Sequence, residues 1–572
     1  MVRRFESSLP PRIGANRWDL LAGGLVLAAI ALFVVAGHQM RAPMAALDAA
    51  PISLEPDRLA GYALRTVVRM AVAMAVSLLF TLVVGTLAAR NRRARSILLP
   101  LLDVLQSVPV LGYLSFTVVL FLTLFPDSVF GAELAAIFAI FTSQVWNMTF
   151  SFYQSLRTVP ADLHDAARSL RLSPWQRFWH LDVPFATPGL VWNAMVSISG
   201  SWFFVVACEA IAVGAHTVQL PGIGSYVALA IEQRDLAAIG WALAVMLVVI
   251  GLTDLLIFGP LVAWSDQFRL GGSRTAVAPK SWMLNVWRRT RLLRNAGAAL
   301  RRLVGRVTLG HASRRVDRTA APRLIGGLAG LAYYASLAAI AAAAAWYALH
   351  FLTAFEAAEW LHVFALGALT LVRVLVVTAL AMLVWVPVGV IIGLQPAWTT
   401  RVQPIVQFLA AIPVNLVFPL AVYAIVHLRL NPDIWLSPLI VLGAQWYILF
   451  NVIAGTSTIP QDLLEISRNL QVKGWLRWRS VLLPGVAPYA ITGALTAWGG
   501  AWNATIVAEV VYWGDQRLVA HGLGAYIAVN TEAGDFARIE LGVAFMCVYV
   551  VVFNRLMWRP LYDAAERRFR LD

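Results

Sequence analysis

The stretch TVPADLHDAARSLRLSPWQRFWHLDVP, Thr158 to Pro184, returns 300 positions later as TIPQDLLEISRNLQVKGWLRWRSVLLP, Thr458 to Pro484. In each copy a Pro suits a first helical turn, and the acids after it (Asp162 and Asp165; Asp462 and Glu465) suit the positive end of a helix dipole. The spacing of Leu163, Ala166, Ala167 and Leu170, matched by Leu463, Ile466, Ser467 and Leu470, predicts one narrow face, with Asp165 or Glu465 and Arg168 or Arg468 off it. Ser173-Pro174 and Lys473-Gly474 then mark the turn into a second short helix. Two short amphipathic helices with Trp175, Arg177, Trp475, Arg477 and Trp478 around them read as a docking surface; a loop packed between spans is the alternative.

Outward from these stretches the repeat covers most of the chain. An offset of 300 carries Trp146 to Trp446, Trp202 to Trp502, Glu209 to Glu509 and Asp235 to Asp535, and an offset of 304 carries Arg69 to Arg373, Gly85 to Gly389 and Pro109 to Pro413. With 60% hydrophobic and 13% charged residues and a mean hydropathy of +0.72, the chain reads as an all-α polytopic membrane protein. We read six spans per half, at 18–37, 64–89, 97–125, 132–157, 187–212 and 237–264, then 324–352, 364–394, 402–427, 433–457, 487–511 and 537–558. An even number per half gives parallel repeats related by an axis along the membrane normal.

The net charge of +15 gathers between Ser265 and Arg323, where fourteen Lys/Arg face only Asp266 and Asp317. In a membrane chain that excess marks the cytoplasmic side and anionic lipid, not nucleic acid. The positive-inside rule then places both termini and both repeated loops in the cytoplasm. Ser281 to Val307 reads as an amphipathic interfacial helix, with a disordered basic linker as the other reading. The expected organisation is a first half at 1–264 with its loop at 158–186, a linker at 265–323, and a second half at 324–572 with its loop at 458–486.

The loops resemble the hallmark of the membrane subunits of binding-protein-dependent ABC importers of type I: EAA, three residues, Gly, then a Pro. DAARSLR and EISRNLQ stand in that place, with Pro184 and Pro484 nineteen residues after Asp165 and Glu465. Arg171 and Gln471 occupy the position of the hallmark Gly, and the Ala-Ala pair survives only as Ala166-Ala167. GSWFFVVACE and GAWNATIVAE follow the loops as they do in the nitrate, sulfonate and taurine branch, particularly its duplicated anion permeases. The resemblance covers about 480 residues in both halves. It implies a permease of the bacterial inner membrane that forms the pathway for a small solute, an anion such as nitrate, sulfonate, taurine or bicarbonate. A periplasmic binding protein delivers the solute at the loops 213–235 and 512–535, and two ATPase subunits hold Mg-ATP and grip Asp165, Ala166, Ala167, Arg168 and Arg171 in one loop and Glu465, Ser467, Arg468 and Gln471 in the other. No GxxxxGK[ST] run occurs in the sequence, so ATP hydrolysis is expected in partners, and the chain itself is not expected to be an enzyme or to hold a cofactor.

Within the spans, Trp146, Trp202, Trp446, Trp502 and Asn503 are candidates for the translocation pathway. Pro109 and Pro413 break apolar helices and would either line a cavity or act as packing kinks. Glu209 and Glu509 are also pathway candidates; their position about 33 Å along the helix suggests a hydrated or capping carboxylate at the pore mouth. Asp254, with its counterpart Asn554, is read as paired within the bundle. The nine His show no metal-binding spacing, and no nucleophile triad emerges. A secondary, ion-coupled transporter with parallel repeats is the competing reading.

Overall fold

The computed structural model describes residues 51–213, 216–268 and 351–569, with isolated positions at 24–43, 283, 290 and 339–350. The expected spans at 18–37 and 324–352 and the basic segment Ser281 to Val307 lie outside those residues apart from the isolated positions. The chain forms two compact units. One takes in Met1–Gln39, Thr158–Trp192 and Leu252–Arg315, and the other Met40–Arg157, Asn193–Gly251 and Val316–Asp572.

The first sequence half contributes α1 (Pro56–Arg90), α2 (Arg92–Ser107), α3 (Val110–Leu124), α4 (Val129–Arg157), α5 (Ala161–Ser169) and α6 (Pro174–Glu209). A hairpin of β1 (Ala210–Val213) and β2 (His216–Gln219), a short helix α7 (Ile223–Glu232) and the long α8 (Leu236–Phe268) follow. The second half repeats the order: α9 (Ala357–Gly393), α10 (Pro396–Ala411), α11 (Phe418–His427), α12 (Pro432–Leu442), α13 (Gln445–Ser457), α14 (Gln461–Asn469) and α15 (Gly474–Ala508). Then come β3 (Val510–Trp513), β4 (Gln516–Val519), α16 (Leu523–Ala533) and α17 (Phe536–Arg568). Among the described residues, seven of these helices are long and apolar enough to cross a membrane, and three bent pairs bring the number to ten. All ten coincide with spans expected from the sequence. The duplication reaches fine detail: one-turn π-bulges stand at Phe178–Asp182 and Trp478–Leu482, and again at Asp254–Phe258 and Asn554–Trp558. Asp254 and Asn554 thus each open such a bulge.

The broken spans follow from proline. A residue before Pro is driven out of the α region, and Val108 and Ile412 are extended, at ψ 124° and 123°. Helices α2 and α3 therefore meet at 101°, and α10 and the segment from Val414 to His427 at 68°. At both breaks a side-chain amide of the second half bonds the backbone of the first. Asn503 on α15 accepts a 2.7 Å hydrogen bond from the Val110 N–H, the first of α3, where Pro109 has no side-chain cap to offer. At the matching place, Asn415 donates through Nδ2 to the Phe203 carbonyl at 3.1 Å. Ser115 and Thr531 meet at 3.3 Å, and Phe116 packs on Phe536 with ring centroids 5.8 Å apart. The halves are thus joined at their proline breaks.

Replacing Asn503 with Ala leaves the Val110 N–H without its acceptor between packed helices. We expect a loss of about 1–2 kcal/mol, read as a lower midpoint in thermal unfolding of the detergent-solubilised chain, with Asn503→Asp retaining most of it.

Candidate functional site

In the repeated loops, α5 and α14 have the same pattern of exposure along their length, residue for residue. Only Ala167 and Ser467 are buried. The expected apolar face therefore divides: its inner residue packs, while Leu170 and Leu470 stand 73% and 71% exposed beside Trp175 and Trp475. In the second copy Ile466 and Leu476 widen the uncovered patch. Asp165 pairs with Arg168 at 3.0 Å on the solvent side.

The helices end in a fixed way. Leu172 N–H bonds the Ala167 carbonyl and Arg171 N–H the Arg168 carbonyl, and Val472 and Gln471 repeat both bonds to Ser467 and Arg468. These are the paired bonds of a Schellman turn, which needs a left-handed residue. Arg171 and Gln471 supply it, at φ 51° and 53°. The positions where the hallmark has Gly thus keep a glycine conformation without glycine. The second short helix starts differently in the two copies. Ser173 and Gln176 form a reciprocal capping box, whereas Lys473 has no side-chain cap and Gly474 itself adopts φ 58°.

At the other end of α6, Glu209 is fully buried, so of the two readings, hydrated or capping, hydration fails. Its carboxylate accepts from Arg69 Nη1 at 2.7 Å, Thr66 Oγ1 at 2.6 Å and the Gly224 N–H in the first turn of α7 at 2.7 Å. Arg69, also fully buried, holds Glu133 through two further bonds of 2.5 and 2.7 Å and the Pro221 carbonyl at 3.0 Å. One guanidinium thus fastens α1, α4, α6 and the entry to α7. Gly222 lies so close to the Glu209 carboxylate that any Cβ there would collide with it, and Gly522 is placed likewise against Glu509.

The second half builds the same cluster more openly. Arg373 Nη1 bonds Glu509 at 2.6 Å, and Thr370 and the Ala525 N–H complete that carboxylate at 3.0 Å each. Asp433, the counterpart of Glu133, sits 3.5 Å from Arg373 with its side chain 39% exposed, and it accepts from the His521 N–H at 2.7 Å. Arg69, Glu133, Thr66, Arg373 and Asp433 were not among the expected site residues. The available signal was an Arg inside each apolar span, which demands a buried counter-charge.

The two halves line an open cavity of about 510 Å³, formed by α3, α6, the start of β1, α7, Asn415 and α11, α15, the β3–β4 hairpin and α16. Its wall is aliphatic for the most part, with Leu111, Leu114, Val422, Ile506 and Val511, and its polar liners include Ser115, Asn415 and Glu232. Tyr512 donates its hydroxyl to Glu532, and burial together with that carboxylate raises the phenol above its ordinary range. Arg517 pairs with the same carboxylate at 3.0 Å. The segments just after Pro109 and Pro413 reach the wall. The tryptophans do not. Trp202 and Trp502 are buried, the latter stacked on Tyr549 at 6.1 Å; Trp146 packs edge-on to Phe80 and Trp446 against Trp385.

This duplicated bundle can be set beside known proteins. The profile of the family described as binding-protein-dependent transport system inner membrane component matches residues 81–263 and, a second time, 385–571. The chain belongs to this family. It is therefore an inner-membrane component of a transport system, present as a fused duplicate. Among its relatives, the bicarbonate transport system permease protein CmpB of Synechocystis is 34% identical over 179 residues, 31% of this chain and 60% of the relative. The nitrate import permease protein NrtB of Leptolyngbya laminosa is 28% identical over 192 residues, 33% of this chain and 64% of the relative. The taurine transport system permease protein TauC of Escherichia coli is 24% identical over 205 residues, 34% of this chain and 66% of the relative. The chain thus spans about three fifths to two thirds of the length of these three relatives.

The left-handed turn gives a direct test. In Arg171→Gly the relief of a left-handed side chain, about 1 kcal/mol, is offset by the flexibility glycine adds to the unfolded chain. Thermal stability should change by less than about 0.5 kcal/mol, whereas Arg171→Val should lose about 1–2 kcal/mol.

Proposed function

We propose that this chain supplies both permease halves of an ATP-driven importer, fused in one polypeptide. The observation that carries the reading is the pair of loops with one geometry, each ending in a Schellman turn and each leaving leucine and tryptophan uncovered. Exposed apolar side chains on short, well-capped helices are what a partner's groove covers. In this reading two ATPase subunits seat α5 and α14, using Asp165 or Glu465 and Arg168 or Arg468 at the rim of each contact, with Arg171 and Gln471 fixing the angle at which each helix ends. Mg-ATP is held by those subunits.

Both termini and both loops face the cytoplasm, and the hairpins with α7 and α16 face the binding protein on the opposite side. The halves, hinged at the breaks at Pro109 and Pro413, rock about the cavity so that access alternates. Asn503 stays at the joint, and Glu209 and Glu509 act as fixed struts beside the pathway. The solute is small; the relatives' names give bicarbonate, nitrate and taurine as the solutes of those proteins. The ion-coupled alternative lacks support: the fully buried carboxylates Glu209, Glu133 and Glu509 are all engaged by arginine or its neighbours.

The test is reconstitution of the chain with its ATPase subunits and binding protein in proteoliposomes. Asp165→Arg or Glu465→Arg should cut stimulation of ATP hydrolysis by the liganded binding protein at least about tenfold, the cost of reversing a charge in a close interface, while the protein stays folded. Unchanged stimulation in both variants, or uptake by the chain alone on an ion gradient, would remove the assignment.

A further inference from the structure

The cavity between the halves is large for a bare oxyanion and has the wrong polarity for one. At about 510 Å³ it falls in the range of sites for organic molecules. Among the described residues no Lys, Arg or His lines it, and its two charged liners are the carboxylates Glu232 and Glu532, the second already paired with Arg517. An inorganic anion there would shed water without meeting a counter-charge.

The hydrogen-bonding groups point the same way. The Ser115 hydroxyl donates to Thr531, Thr531 donates to the Ile527 carbonyl, and Tyr512 donates to Glu532. Asn415 spends an amide N–H on the Phe203 carbonyl, and its Oδ1 is buried away from the space. Glu232 stands exposed at the wall. What the side chains offer the space is therefore mainly acceptors, and an occupant must bring the donors.

We infer that the cavity takes an organic ammonium: a solute with an apolar carbon body and at least one protonated amine. Zwitterionic aminosulfonates and amino acids are included, and bare oxyanions such as nitrate or bicarbonate are not. The amine is received by Glu232, and the body lies on the aliphatic wall. This rests on the importer reading for its consequence, but the chemistry of the cavity is testable on the chain alone.

Ala228 and Ala528 line the cavity four residues before Glu232 and Glu532, hence on the same helix faces. The full-length Ala228→Cys and Ala528→Cys variants, in lipid nanodiscs, are modified separately with 2-aminoethyl and 2-sulfonatoethyl methanethiosulfonate, which match in length and differ in charge. The unsubstituted chain reports any reaction at Cys208 and Cys547. We expect the ratio of cationic to anionic rate, relative to a free thiol, to rise about tenfold at Ala228→Cys, as focusing by a carboxylate in a low-dielectric wall provides. Adding Glu232→Gln should return the ratio most of the way to that of the free thiol, and ethanolamine should slow modification where sodium nitrate at equal ionic strength does not. A ratio at or below the free-thiol value, indifference to Glu232→Gln, better protection by nitrate, or no modification by either reagent would overturn the inference. Because no ATPase enters the assay, failure here leaves the loop-docking test untouched, and the reverse holds as well.

Discussion

A guanidinium buried in an apolar bundle is tolerable only if anions surround it, and that constraint organises each half of this protein. Arg69 lies between Glu133 and Glu209 with no exposed atom of consequence, and every oxygen it faces is within 3.0 Å. Removing one partner of such a cluster strands a charge, at a cost of about 3–5 kcal/mol. The arrangement therefore fixes geometry more than it adds net stability. It sets where α6 ends, since the Glu209 carbonyl accepts from both Leu220 N–H and Ser225 Oγ, and where α7 begins, since Glu209 takes the N–H of Gly224. The hairpin and α7 that line the cavity are held in place from behind by this one interaction.

The two halves spend the same design differently. Arg69 and its partners are dry, whereas Arg373 shares its charge with an Asp433 that reaches solvent and leans on His521. The loops differ in the same sense: a capping box steadies the first, and Gly474 replaces it in the second. A fused duplicate permits such divergence, because each copy has only one set of neighbours. The contacts between halves are unequal too, with both bridging amides, Asn415 and Asn503, supplied by the second half.

Much of this was legible in the sequence. Ten spans, the two loops, the start of their second helices and the breaks at Pro109 and Pro413 follow from hydropathy, helix-start signals and the stiffness of proline, which are local effects. The arginine clusters are not local. Arg69 meets Glu133 across 64 positions and Glu209 across 140, and the shift from an offset of 304 to one of 300 between those residues hides the shared triad. For Glu209 the sequence leaves hydration and capping open, because depth along a helix says nothing of what packs beside it. The tryptophans stand away from this cavity, and the sequence could not say so: a large aromatic side chain in a span looks the same whether it fills a helix interface or faces a cavity. Leu170 and Leu470 stand uncovered although they belong to the apolar face, since periodicity marks a face without saying whether the chain or a partner covers it.

The central claim is that each half is built around an arginine held by two acids, tightly in the first and loosely in the second. A double-mutant cycle on thermal unfolding, with Arg69→Met and Glu209→Gln in one half and Arg373→Met and Glu509→Gln in the other, measures it directly. The account predicts a coupling of about 2–3 kcal/mol for the first pair and a clearly smaller one for the second. Equal couplings would contradict the asymmetry, and a first-half coupling near zero would contradict the claim itself.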